Sequence, residues 1–80
     1  ISPNTTLTVE SGATLIIEMH VTNNGGTLDI ADNGMVTVQG DFLGTSSSAI
    51  INEGTLEVWG IFSIDIGSTL SGDGEYTIGL

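Results

Sequence analysis

The chain has 80 residues, ten of them Asp or Glu and none Lys or Arg, for a formal net charge of −10. Without cations there is no counterion-release term for a nucleic-acid backbone and no attraction to anionic lipid, so both partner classes are excluded. There is no cysteine for disulfides and a single histidine, His20, which rules out zinc-type ligand clusters.

No apolar run approaches a membrane helix, and the 39% hydrophobic content is periodic, which argues for a fold rather than an acidic disordered chain. The first residue is Ile1, with no basic leader, which suggests a mature secreted product or an excised segment.

In chain order, the inward apolar positions run Ile1, Val9, Leu15, Ile17 and Val21, then Ile30, Val36, Val38 and Phe42. They continue through Ile50, Leu56, Val58 and Phe62 to Leu70, Tyr76 and Ile78. Steps of 8, 6, 2 and 4 recur in a cycle of 20 residues. Val21 to Ile30, at 9, is the one departure, which assigns an extra residue to the Asn23-Asn24-Gly25-Gly26 corner. The series sets Ile30, Ile50 and Leu70 in one column and Ile1 in the column of Val21, Phe42 and Phe62. A fixed period near 20 marks a solenoid, whose coils cannot bury an apolar face alone.

Each cycle divides into three short strands. The first carries Leu7/Val9, Leu28/Ile30, Ile50 and Leu70. The second carries Leu15/Ile17, Val36/Val38, Leu56/Val58 and Tyr76/Ile78. The third carries Val21, Phe42 and Phe62, with Ile64 beyond. Apolar residues alternate with Thr, Asp, Glu or Ser, as in Thr-Leu-Thr-Val (6–9) and Thr-Leu-Glu-Val (55–58), the mark of a half-buried strand. No window has helical periodicity. The expected fold is therefore all-β: a three-sided parallel β-solenoid forming one domain over 1–80, with about four coils at roughly 1–21, 22–42, 43–62 and 63–80.

Glycine at 34, 54 and 74 falls in the corner between first and second strands, where it is expected to supply positive φ. Gly40 and Gly60 fall in the tighter second corner. Tyr76 stands where earlier coils have Val36 and Leu56, so its hydroxyl needs a partner or a place near an open end.

The recurrent pieces TLTVESGATLII, GTLDIADNGMVTVQGDF and NEGTLEVWGIF resemble the Gly/Thr/Asn-rich parallel β-helix repeats of secreted bacterial surface proteins and adhesins. The resemblance covers nearly the whole chain. It implies right-handed coiling and an extracellular or cell-surface setting, and it supplies no active site.

Lyases of this fold use a scheme with a basic Arg or Lys beside Ca²⁺, and this chain has neither residue. Hydrolysis needs two carboxylates, but Glu57 and Asp29 fall outward on different sheets, so no enzyme and no catalytic residue is expected. Asn33, Glu53 and Asp73 share a column beside Asp32 and Asn52, a hard-oxygen set that suits weak Ca²⁺ binding but lacks an EF-hand or RTX-type calcium-repeat pattern. Solvated turns are the simpler reading of that corner, and no other cofactor is expected. Trp59 and Ile61 flank Gly60 on the outside as candidates for lateral contact. Asn4-Thr5-Thr6 is a glycosylation sequon.

The ends carry the functional expectation. Ile1, Tyr76, Ile78 and Leu80 lie at uncapped edges, and an open parallel edge is a template for pairing. The sequence thus points to a non-enzymatic extracellular structural protein whose copies stack head to tail into a filament. The alternatives are a four-coil module of a larger adhesin, with a surface glycan or cell-surface partner, and a carbohydrate-binding or hydrolytic β-helix.

Overall fold

A computed structural model describes residues 1–79; Leu80 lies outside the described residues. It has eleven strands and, among the described residues, no helix: β1 (Thr6–Val9), β2 (Thr14–Ile17), β3 (Val21–Asn24), β4 (Thr27–Ile30), β5 (Met35–Val38), β6 (Phe42–Thr45), β7 (Ala49–Asn52), β8 (Thr55–Val58), β9 (Phe62–Ile64), β10 (Thr69–Ser71) and β11 (Glu75–Ile78).

They form three parallel sheets, ordered β1-β4-β7-β10, β2-β5-β8-β11 and β3-β6-β9, so the chain is a three-sided β-solenoid. Its extent is about three turns rather than four coils. A turn closes only when the chain returns to the same sheet, and among the described residues no third-sheet strand follows β11.

Strand stacking is driven by the inner columns. Val9, Leu28, Ile30, Val36, Val38, Phe42, Ile50, Leu56 and Val58 are buried, and Ile1, Leu7, Leu15, Ile17, Val21, Phe62 and Tyr76 pack against them. Full burial of such a side chain is worth about 1.5–3 kcal/mol relative to exposure. On the second sheet Ile17, Val38, Val58 and Ile78 form one column, and Leu15, Val36, Leu56 and Tyr76 another, as the spacing predicts. Phe42 and Phe62 also stack, with ring centroids 5.5 Å apart, and Phe62 lies 5.9 Å from Tyr76.

The first sheet departs from a strict period of 20. Thr27 pairs with Ala49, a separation of 22, whereas Met35 pairs with Thr55, a separation of 20. The difference sits in the corner: residues 31–34 join β4 to β5, but only Glu53 and Gly54 join β7 to β8. The apolar columns are therefore Leu7/Leu28/Ile50/Leu70 and Val9/Ile30/Asn52, not Ile30/Ile50/Leu70.

Ile1 is also displaced from its expected column. Its nitrogen donates to Thr22 O at 2.6 Å and its carbonyl accepts from Asn24 N at 2.8 Å, which brackets Asn23 rather than Val21. Ile1 thus begins the third sheet in the column of Asn23, Gly44 and Ile64.

The glycine column has a different cause from the expected one. Gly34, Gly54 and Gly74 do not have positive φ; Gly12, Gly72 and Asn33 do, in the same corner. A Cβ on Gly54 would land on the carbonyl of Gly34 in the preceding coil, so glycine lets the corners nest.

Candidate functional site: the open edges and the corner side chains

β1 and β2 lie at one end of their sheets and β10 and β11 at the other, so each end presents strand edges with no partner among the described residues. The apolar columns emerge there. Leu70 and Ile78 are 45% and 43% exposed, while Leu7, Leu15 and Ile17 at the opposite end are half-buried. Tyr76 lies on β11 at the open end, and its Oη is buried without a hydrogen-bond partner. Burial pushes the phenol above its ordinary pKa of 10.0, and the neighbouring Asn52 amide opposes that shift without completing a hydrogen bond. Three of the four expected assembly residues (Ile1, Tyr76, Ile78) thus stand on terminal strands or segments; Leu80 lies outside the described residues.

Two inward asparagines went unnoticed in the spacing series. Asn23 and Asn52 are both 0% exposed. Asn23 Oδ1 accepts from Gly26 N at 3.0 Å and its Nδ2 donates to Ala49 O at 3.2 Å. Asn52 Oδ1 accepts from Gly54 N at 3.0 Å and its Nδ2 donates to Glu75 O at 2.9 Å. Each amide secures its own corner and reaches into the next coil, which satisfies a buried polar group on both sides. The signal available in the sequence was their place at a strand's inward position just before a glycine corner.

This places Asn52 away from the other candidate calcium ligands. Asp32, Asn33, Glu53 and Asp73, with Gly54, Thr55, Gly74 and Glu75, line an open depression of about 210 Å³ on the outer corner. Asn52 instead points inward with both amide atoms engaged, so it is no outward ligand. Within the corner, Glu53 Oε1 accepts the Asp73 backbone N–H at 3.0 Å. No group of three or more His, Cys, Asp or Glu side chains converges as a metal set among the described residues.

The Glu53 bond is one instance of a repeated arrangement. Asp41 Oδ1 accepts Ile61 N–H at 2.7 Å, and His20 Nδ1 accepts Asp41 N–H at 2.9 Å, each spanning adjacent coils of the second corner. Asp65 takes Ser46 N–H on one oxygen and Ser68 Oγ–H on the other, at 3.0 and 2.7 Å. The Ser68 hydroxyl and the backbone donors hold the Asp65 carboxyl below its ordinary 3.8. Corner N–H groups that the sheets leave over are thus met by carboxylates, which gives acidic side chains a use that needs no cation.

Trp59 and Ile61 are exposed on the second corner, at 42% and 69%, and the Trp59 indole N–H donates to Glu57 Oε1 at 3.0 Å. Asp29 and Glu57 stand on β4 and β8, in different sheets. Asn4 is exposed in a turn with φ of 62°. No helix among the described residues is long and apolar enough to cross a membrane. No family model matches the chain, and neither a curated protein nor a solved structure does.

Proposed function

We propose that the protein is a non-enzymatic structural subunit, a β-solenoid whose copies stack head to tail into an extracellular or surface fibre. The observation that carries this reading is the pair of open parallel edges: the same three-sided cross-section, with apolar columns uncovered at β10 and β11 and again at β1 and β2. Unlike ends meet in such a contact, so the interface is heterologous and does not close. Among the described residues the edge strands β1, β2, β10 and β11 carry no proline and no inward charge, two of the devices that blunt an edge, although Pro3 stands in the terminal segment that opens the third sheet. The extracellular assignment draws support from the lack of Lys and Arg, which leaves trypsin-like proteases no cleavage site.

Each copy contributes four strand levels to two of its sheets. At the parallel strand spacing of about 4.8 Å this gives an axial rise of about 19 Å per copy. Electron microscopy of concentrated protein is expected to show unbranched filaments, with the strand spacing in fibre diffraction. A monomer that persists at high concentration by light scattering would remove the reading in favour of a module stacked on covalent neighbours.

A further inference from the structure

On the first two sheets one rule governs how a coil sits on the one before: the first N–H of each strand donates to the residue that immediately precedes the equivalent strand of the preceding coil. On the first sheet these bonds are Thr27 N to Thr5 O, Ala49 N to Gly26 O and Thr69 N to Ser48 O, each 2.9 Å. On the second they are Met35 N to Ala13 O, Thr55 N to Gly34 O and Glu75 N to Gly54 O, at 2.9, 3.0 and 2.8 Å. The residue after each second-sheet strand closes the pairing: Gln39 N to Ile17 O, Trp59 N to Val38 O and Gly79 N to Val58 O, at 2.8, 2.9 and 2.8 Å. The third sheet runs the other way, with Val21 N donating to Asp41 O and Phe42 N to Ile61 O, both 2.8 Å, in the following coil.

β1 and β2 have no coil before them among the described residues, and β10 and β11 have none after. The rule thus leaves donors at Thr6, Thr14 and Glu18 on one end and acceptors at Ser68, Gly74 and Ile78 on the other. We infer that two copies join in a single register, with Thr6 N bonded to Ser68 O, Thr14 N to Gly74 O and Glu18 N to Ile78 O of the neighbouring copy. This rests on the stacking reading above and specifies its interface.

That register has consequences for the side chains. Leu70 meets Leu7, Tyr76 meets Leu15 and Ile78 meets Ile17, so three inner columns of the first and second sheets continue across the joint. The outward residues Thr69 and Thr77 meet Thr6 and Ile16, all exposed in the single chain. The register is also over-determined. A one-residue slip would set the inward Tyr76 and Ile78 opposite outward-facing residues of the next copy and put the two pleats out of phase. A two-residue slip along one sheet is not a slip along the others, because their strands run in different directions around the axis.

The chain has no cysteine, so introduced pairs report without background. Stacked strands at about 4.8 Å fall within disulfide reach, whereas a two-residue offset at about 3.3 Å per residue places Cα atoms about 8 Å apart, outside it. The double variants T77C/I16C and T69C/T6C are expected to give ladders from dimer upward on non-reducing gels, and T77C/T14C none. A ladder from T77C/T14C, or like-end dimers from T77C alone as the dominant product, would overturn the register while filaments in the micrograph left stacking intact. Ladders and filaments both absent, with circular dichroism showing folded variants, would overturn the register and the stacking reading together.

Discussion

Asn52 occupies the position where the column above it holds Ile30 and Val9, and its amide makes two buried hydrogen bonds there. An apolar residue at that site would satisfy the column but leave Gly54 N–H and Glu75 C=O without partners. Asn52→Leu and Asn52→Ala are therefore both expected to destabilise the fold, by about 1–3 kcal/mol per unmet group, measured by urea unfolding. Tolerance of leucine would show that the amide is dispensable. Tyr76 is the reverse case. Its hydroxyl is buried and unpaired, so Tyr76→Phe is expected to leave the melting temperature unchanged or raise it. A clear fall would mean that the hydroxyl is bonded. Asp65 has a carboxyl pKa depressed below 3.8 by the Ser68 hydroxyl and backbone donors. A depressed folded-state pKa contributes stability that is present above 3.8 and lost as pH falls through the folded value. Asp65→Asn should flatten the acid limb of the stability profile in that window; an unchanged limb would assign acid sensitivity elsewhere.

At the scale of elements, burial is graded along the stack. β5 and β8 lie between neighbours on both sides, and Val36, Val38, Leu56 and Val58 are almost wholly buried, whereas β10 has three exposed residues. Leu56→Ala should cost about 2–5 kcal/mol through lost burial and a cavity, while Leu70→Ala, half-exposed at the end, should cost distinctly less in dilute monomer. If the two fell together, the middle and end strands would not differ in packing as described. The same comparison repeated under assembling conditions should narrow the gap, because stacking buries Leu70. The outer face has its own gradation: Thr37 points outward between Ile16 and Glu57 yet is only 6% exposed, so neighbouring coils cover even polar positions in the middle of the stack.

For the whole molecule, a net charge of −10 sets like charge against like whenever copies meet. The screening length falls from about 30 Å at 0.01 M to about 8 Å at 0.15 M salt, so association should rise over that range, followed by light scattering. Salt-independent assembly would sink the electrostatic part of this account. The charge does not prevent folding, because Asp41, Glu53 and Asp65 accept backbone donors within the chain and the remaining acids stand at exposed or partly exposed positions.

The sequence alone determined the class of fold, the three strands per cycle, the inner columns of the second sheet and the Val21/Phe42/Phe62 column of the third. Period-two alternation inside a 20-residue repeat has few other ways to bury its apolar side. It misplaced Ile30, Ile1 and Asn52, because a spacing rule that follows apolar letters skips an inward amide and absorbs a two-residue change in one corner. Corner lengths vary without disturbing the strands they join, so only the backbone pairing reveals which residues share a level. The role of the glycines and of the corner carboxylates was decided in the same place. Both depend on what the adjacent coil presents across a gap of about 4.8 Å, a proximity that exists once the chain has wound.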